Sequence, residues 1–124
     1  MPLIVRAFPV TPGQEAAARQ FAAELAGSRR QEAEAFYRRF GIQRESWHLQ
    51  DTPNGTWVIA VTDMSGEPAA NGHAYAAAQA GFERWFKDQV RVVTGIDQDN
   101  QPLGPPTEML LDVTPARTAV QQDA

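Results

Sequence analysis

Residues 44–64 read RESWHLQ, then DTPNG, then TWVIAVTDM: two runs of strand composition around a turn that contains Asn54-Gly55. That dipeptide between apolar runs is the strongest short-range hairpin signal. Period two puts Glu45, Trp47 and Leu49 on one face of the first run and Arg44, Ser46, His48 and Gln50 on the other. In the returning run, Trp57, Ile59, Val61 and Asp63 oppose Thr56, Val58, Ala60 and Thr62. The middle of this second run is apolar on both sides, a pattern that fits a sheet covered on each face. The hairpin is therefore the expected centre of the sheet.

The flanking segments follow from the same reading. Residues 3–8, LIVRAF, predict a first strand with Leu3, Val5 and Ala7 on one face and Ile4, Arg6 and Phe8 on the other, and Pro9 and Pro12 mark its exit. A helix is expected from Thr11, a capping residue followed by Pro12, with Ala18, Phe21, Ala22 and Leu25 gathered on one side. Gly27-Ser28 interrupts it, so the region predicts either two helices or one distorted helix, continuing through Ala33, Phe36, Tyr37 and Phe40 to a stop at Gly41. Arg29, Arg30, Arg38 and Arg39 fall on the wet side, where Glu24, Glu32 and Glu34 dilute their field.

After a connection over 65–72, a second helical region is predicted from about His73 to just before Gly95, with Tyr75, Ala78, Phe82, Trp85 and Phe86 in its stripe and Gly81 at a kink or close contact. Residues 97–106 read as a loop, 108–113 (EMLLDV) as a last strand, and 115–124 as a mobile tail. The order strand, helix, strand, strand, helix, strand predicts a ferredoxin-like α+β sandwich. In it, two helices cover one face of a four-stranded antiparallel sheet, in a single domain over 1–114. The segments FYRRF (36–40) and FERWF (82–86) share aromatic ends, a spacing that amphipathic helices produce without any duplication.

Composition narrows the chemistry. A chain of 124 residues with 43% hydrophobic content and three Trp suits one folded domain. The net charge of −4 offers no general attraction to nucleic acid or anionic membrane. With no cysteine, disulfides, thiolate catalysis and cysteine metal sites are excluded. Without a long apolar run or a leader-like start, the expectation is a soluble, cytoplasmic protein. Phosphate-binding glycine loops, a dinucleotide fingerprint and GxSxG are all missing.

Three segments carry a family likeness: RxF at 6–8, ExWxLQ at 45–50, and FERWFKxQV at 82–90 before Gly95-Ile96-Asp97. With the order of elements, they make 3–113 resemble the dimeric α/β-barrel proteins, the broad superfamily that includes antibiotic-biosynthesis monooxygenases. The resemblance implies a homodimer in which the exposed sheet faces pack together. It also implies a cavity for a small aromatic or hydrophobic metabolite. Some members of that group oxidise substrates without a bound cofactor, and some bind haem.

The residues themselves suggest His48 as an acid or base, with Ser46 and Gln50 beside it. The bland alternative is an exposed or structural histidine. Arg6, a cation inside a strand, would stabilise an anion or pair with Glu45, Asp63 or Glu108. Trp47, Trp57, Tyr37 and Trp85 are candidate walls for a planar substrate, or ordinary core aromatics. No cofactor or metal is expected; a site built from His48, His73, Glu45 and Asp63 lacks a fixing motif. The expected function is a homodimeric small-molecule-binding protein, with cofactor-independent oxidase or monooxygenase action on an aromatic or hydrophobic metabolite as its activity. The alternative is a non-catalytic structural or protein-interaction domain.

Overall fold

The computed structural model describes residues 3–116. The chain runs β1 (Leu3–Pro9), α1 (Glu15–Ala26), α2 (Arg30–Arg39), β2 (Ile42–Thr52), β3 (Gly55–Met64), α3 (Pro68–Ala77) and α4 (Gly81–Thr94). The hairpin forms as its composition dictates, turning at Pro53-Asn54, where the Thr52 hydroxyl donates to the Gly55 carbonyl at 2.7 Å. β3 is the middle strand of the antiparallel order β1-β3-β2. A shift of register between Ile42 and Arg44 makes Gln43 a bulge, which leaves Ile42 and Glu45 on the same side of β2.

This sheet corrects the expected architecture. Among the described residues it has three strands and does not close into a barrel, and four helices replace two, so neither the ferredoxin-like four-stranded sandwich nor the dimeric α/β-barrel assignment holds. Residues 108–113 have strand composition but pair with no strand among the described residues, and Met109, Leu110, Leu111 and Val113 are exposed. Strand formation needs a neighbour's backbone, which composition alone cannot supply. The first helix starts at Glu15, later than Thr11, because 11–14 form a turn in which the Gln14 amide donates to the Thr11 carbonyl. The second helical region is also two helices, α3 and α4, parted at 78–80. Of the tail expected over 115–124, residues 117–124 lie outside the described residues.

All four helices lie on one face of the sheet. Phe21 of α1, Phe36 of α2, Tyr75 of α3 and Phe86 of α4 meet in an aromatic core, with the Phe36 and Phe86 ring centres 4.8 Å apart and those of Phe21 and Phe86 5.1 Å apart. On the other face, Val5, Ala7, Trp57, Ile59 and Val61 are only half-buried and no described helix covers them. None of the described helices is long and apolar enough to cross a membrane.

A buried lysine holds the helical layer together. Lys87 of α4 is 1% exposed, and its Nζ donates to the carbonyls of Tyr75 (2.7 Å), Ala76 (3.3 Å) and Ala78 (2.5 Å) and to Asp99 Oδ1 (2.9 Å). These carbonyls cluster at the end of α3, where the Tyr75 carbonyl also accepts the Ala78 amide and the Ala76 carbonyl the Gln79 side chain. Arg84 reaches the other Asp99 oxygen at 3.1 Å. The turn that Asp99 anchors then folds back over the core: Leu103 lies against Gly72, and Gly104 sits where a Cβ would come within 2.3 Å of the Phe8 ring. Only glycine fits there, the more so with φ at +79°.

Replacing Lys87 with Met keeps the length and removes the cation. It is expected to lower the unfolding free energy by about 2–4 kcal/mol, because three carbonyls and a carboxylate each lose one donor and the Ala78 carbonyl loses its charged partner. A fall in the urea midpoint at unchanged slope checks this. The hydrogen bond from Lys87, then those from Arg84 and Gln79, hold Asp99 well below the usual carboxylate range. Its stabilisation is therefore present above the ordinary aspartate pKa and lost as the pH falls below it. Asp99→Asn should flatten that acid limb in urea melts across pH.

Candidate functional site

Between sheet and helices lies a cavity of about 110 Å³, several-fold the space that one buried water requires. Its floor comes from the alternate residues of the strands: Ile4, Arg6 and Phe8 of β1, Val58, Ala60 and Thr62 of β3, and Glu45 and Trp47 of β2. Phe36, Tyr75 and Phe86 form much of the helical roof, while Gln98 and Leu103 close one end. The lining is apolar and aromatic, with a few polar groups inserted, as small-molecule sites generally are.

Glu45 is the principal one. It sits opposite Thr62 in the β2–β3 register, and the Thr62 hydroxyl donates to its Oε1 at 2.8 Å. The Trp47 indole N–H donates to Oε2 at 3.0 Å. Burial away from water pushes its pKa up, and the hydroxyls and indole around it only partly offset this. The same burial, with Glu45 beside it, raises the Tyr37 hydroxyl, which stays protonated. Glu45 is thus a carboxyl displaced toward neutrality next to an open space, the condition in which a carboxyl exchanges protons with a bound molecule.

Arg6 is the second polar station. Its Nη1 donates to the Val5 carbonyl at 2.9 Å, while its buried Nε has no partner among the described residues. No carboxylate of the described residues forms an ion pair with it, so the bridges to Glu45, Asp63 or Glu108 weighed above are not formed there. At the far wall the Tyr75 hydroxyl donates to Gln98 Oε1, pinning the 97–104 turn to α3.

The six residues singled out in the sequence divide among three places. Arg6, Tyr37 and Trp47 line the cavity. Trp85 stands behind it, its ring centre 5.4 Å from Phe21 and its face under Arg29 at 4.0 Å. His48 and Trp57 lie on the opposite face of the sheet, where His48 is exposed and its Nε2 shares a hydrogen bond of 3.0 Å with Ser46 Oγ. Glu45 and Thr62 were not singled out as a pair, although a carboxylate alternating with Trp47 and Leu49 on a core-facing strand side is a legible sign of a buried acid. Among the described residues no three His or acidic side chains gather as a metal site.

Compared with family models, curated proteins and solved structures, the chain matches none of them.

Since its pKa is raised in the folded state, Glu45 contributes stability that is full below the ordinary glutamate value of 4.5 and is lost as the pH rises through the folded pKa. Glu45→Gln removes that slope. Urea melts at stepped pH should show the variant gaining on the wild type as the pH rises; parallel profiles would contradict a displaced carboxyl.

Proposed function

We propose that the protein binds a small, largely apolar aromatic metabolite in the cavity between its sheet and its helices, with Glu45 as the group that exchanges a proton with it. What carries this reading is the partly buried, hydrogen-bonded carboxyl beside an unfilled aromatic-walled space. A carboxyl kept only to complete a core would be costly against an apolar residue of equal volume. Trp47 and the helical rings position the guest, and Tyr37 and Thr62 hold Glu45 in place. Deprotonation of a bound substrate at Glu45 is the part of a cofactor-independent oxidation that these side chains can perform by themselves.

The bare sheet face supports a further element of the same reading, a homodimer. Val5, Ile59 and Val61 leave an apolar surface half in water, and the same chain carries Met109, Leu110 and Leu111 at 68%, 85% and 79% exposure. Thr107 donates to the Val5 carbonyl at 2.5 Å and so starts that run at the free edge of the sheet. A second copy of the chain supplies both surfaces at once.

Ala60, in the middle of the floor, allows a direct test. In wild type, neutral aromatic probes such as indole and benzyl alcohol should shift the Trp47 Nε1–H resonance. Ala60→Leu, which fills the space at a cost of about 1–3 kcal/mol in stability, should abolish the shift. If no probe moves that resonance while light scattering gives twice 13.6 kDa, the protein is an interaction domain rather than a binding protein. For the dimer, Ile59→Lys should reduce the mass measured by light scattering to that of one chain. A wild type that is monomeric at all concentrations would remove the second copy.

A further inference from the structure

Four of the six residues in 108–113 are large and apolar, and all four stand out in water. A soluble chain rarely leaves such a row uncovered. Strand parity puts Met109, Leu111 and Val113 on one side of the run and Glu108, Leu110 and Asp112 on the other. Six residues so extended span roughly 20 Å, about the length of β1.

β1 has an edge to receive it. Among the described residues β1 is bonded to β3 alone, and the Val5 carbonyl accepts side chains instead of a strand: the Thr107 hydroxyl at 2.5 Å and Arg6 Nη1 at 2.9 Å. Laid beside this edge, Met109, Leu111 and Val113 continue the bare apolar face of Leu3, Val5 and Ala7, where Leu3 is itself exposed. Glu108 and Asp112 then fall on the side of Arg6, a cation that forms no ion pair among the described residues. The outer strand β2 is a poor acceptor. Gln43, Arg44, Gln50 and Asp51 are exposed along it, the kind of polar cover that guards an edge against pairing.

The chain does not use its own edge. Thr107 touches β1 at Val5, yet 108–113 pair with no strand among the described residues. A second copy presents both the run and the edge, so one two-fold operation satisfies both chains. Resting on the homodimer part of the reading above, we propose that residues 108–113 of each chain pair, backbone to backbone, with the free edge of β1 in a second copy. The Thr107 hydroxyl is the bond that an incoming amide displaces at the Val5 carbonyl.

Because the run is exposed in the single chain, substitutions in it leave the protomer's core untouched. Light scattering over a range of concentrations compares wild type and Ile59→Lys with two double variants. One is Leu110→Ala with Leu111→Ala; the other, Leu110→Pro with Leu111→Pro, removes a backbone donor whichever alternate set faces the edge. Wild type should give twice 13.6 kDa, and the proline variant the mass of one chain with its helical circular dichroism unchanged. The alanine variant should weaken the dimer at least about 10-fold, the effect of withdrawing two buried leucines. A dimer mixed from two differently isotope-labelled preparations should show NOEs between the backbone of 109–113 in one chain and 3–7 in the other. Absence of those NOEs would overturn the strand exchange. So would a dimer that survives the prolines and yields to Ile59→Lys, which would leave the face-to-face dimer standing. A wild type with the mass of one chain throughout would overturn both.

Discussion

One buried ammonium group organises the helical layer. Lys87 caps the last carbonyls of α3, sits on α4 and holds the Asp99 turn, so three separate pieces of chain meet at a single atom. With so much donated and so little exposed, the charge is tolerable only because every proton has an acceptor. The placement of residues 97–104 follows from it. Gln98 comes to rest on Tyr75, Leu103 on Gly72 and Gly104 on Phe8, and the cavity acquires its closed end.

The cavity is a consequence of side-chain sizes. At the centre of the sheet β3 offers Ala60 and Thr62, while β2 and the helices answer with Trp47, Phe36 and Phe86. Large flat rings set by one another's edges cannot collapse onto a methyl group, so the gap stays open where a flexible aliphatic side chain would have filled it. Glu45 and Arg6 enter that gap from opposite edge strands, each at the cost of desolvation. The carboxyl is compensated by two donors, Thr62 and Trp47, and the guanidinium only by one carbonyl.

Much of the sheet was legible from period two. The alternation placed Glu45 and Trp47 on one side and His48 on the other, and parity in β3 separated Trp57 from Ala60 and Thr62; the structure keeps each of these faces. The break near Gly27 and the end of α4 before Gly95 were also readable, because glycine marks both. What escaped was non-local. EMLLDV carries strand composition but found no edge to join. Lys87, inside the stripe FERWFK, reads as a helix-surface lysine until α3 is seen to end beside it. The 97–106 segment is a loop as its composition implied, but nothing in DQDNQPLGPP announced that it would wall a cavity.

The apposition of Phe8 and Gly104 also sets a boundary on redesign. Since the backbone at 104 admits no side chain against that ring, the loop cannot be decorated to narrow the chamber. Any attempt to enlarge the chamber at this end has to begin by trimming Phe8, and the strand and the loop must to that extent change together.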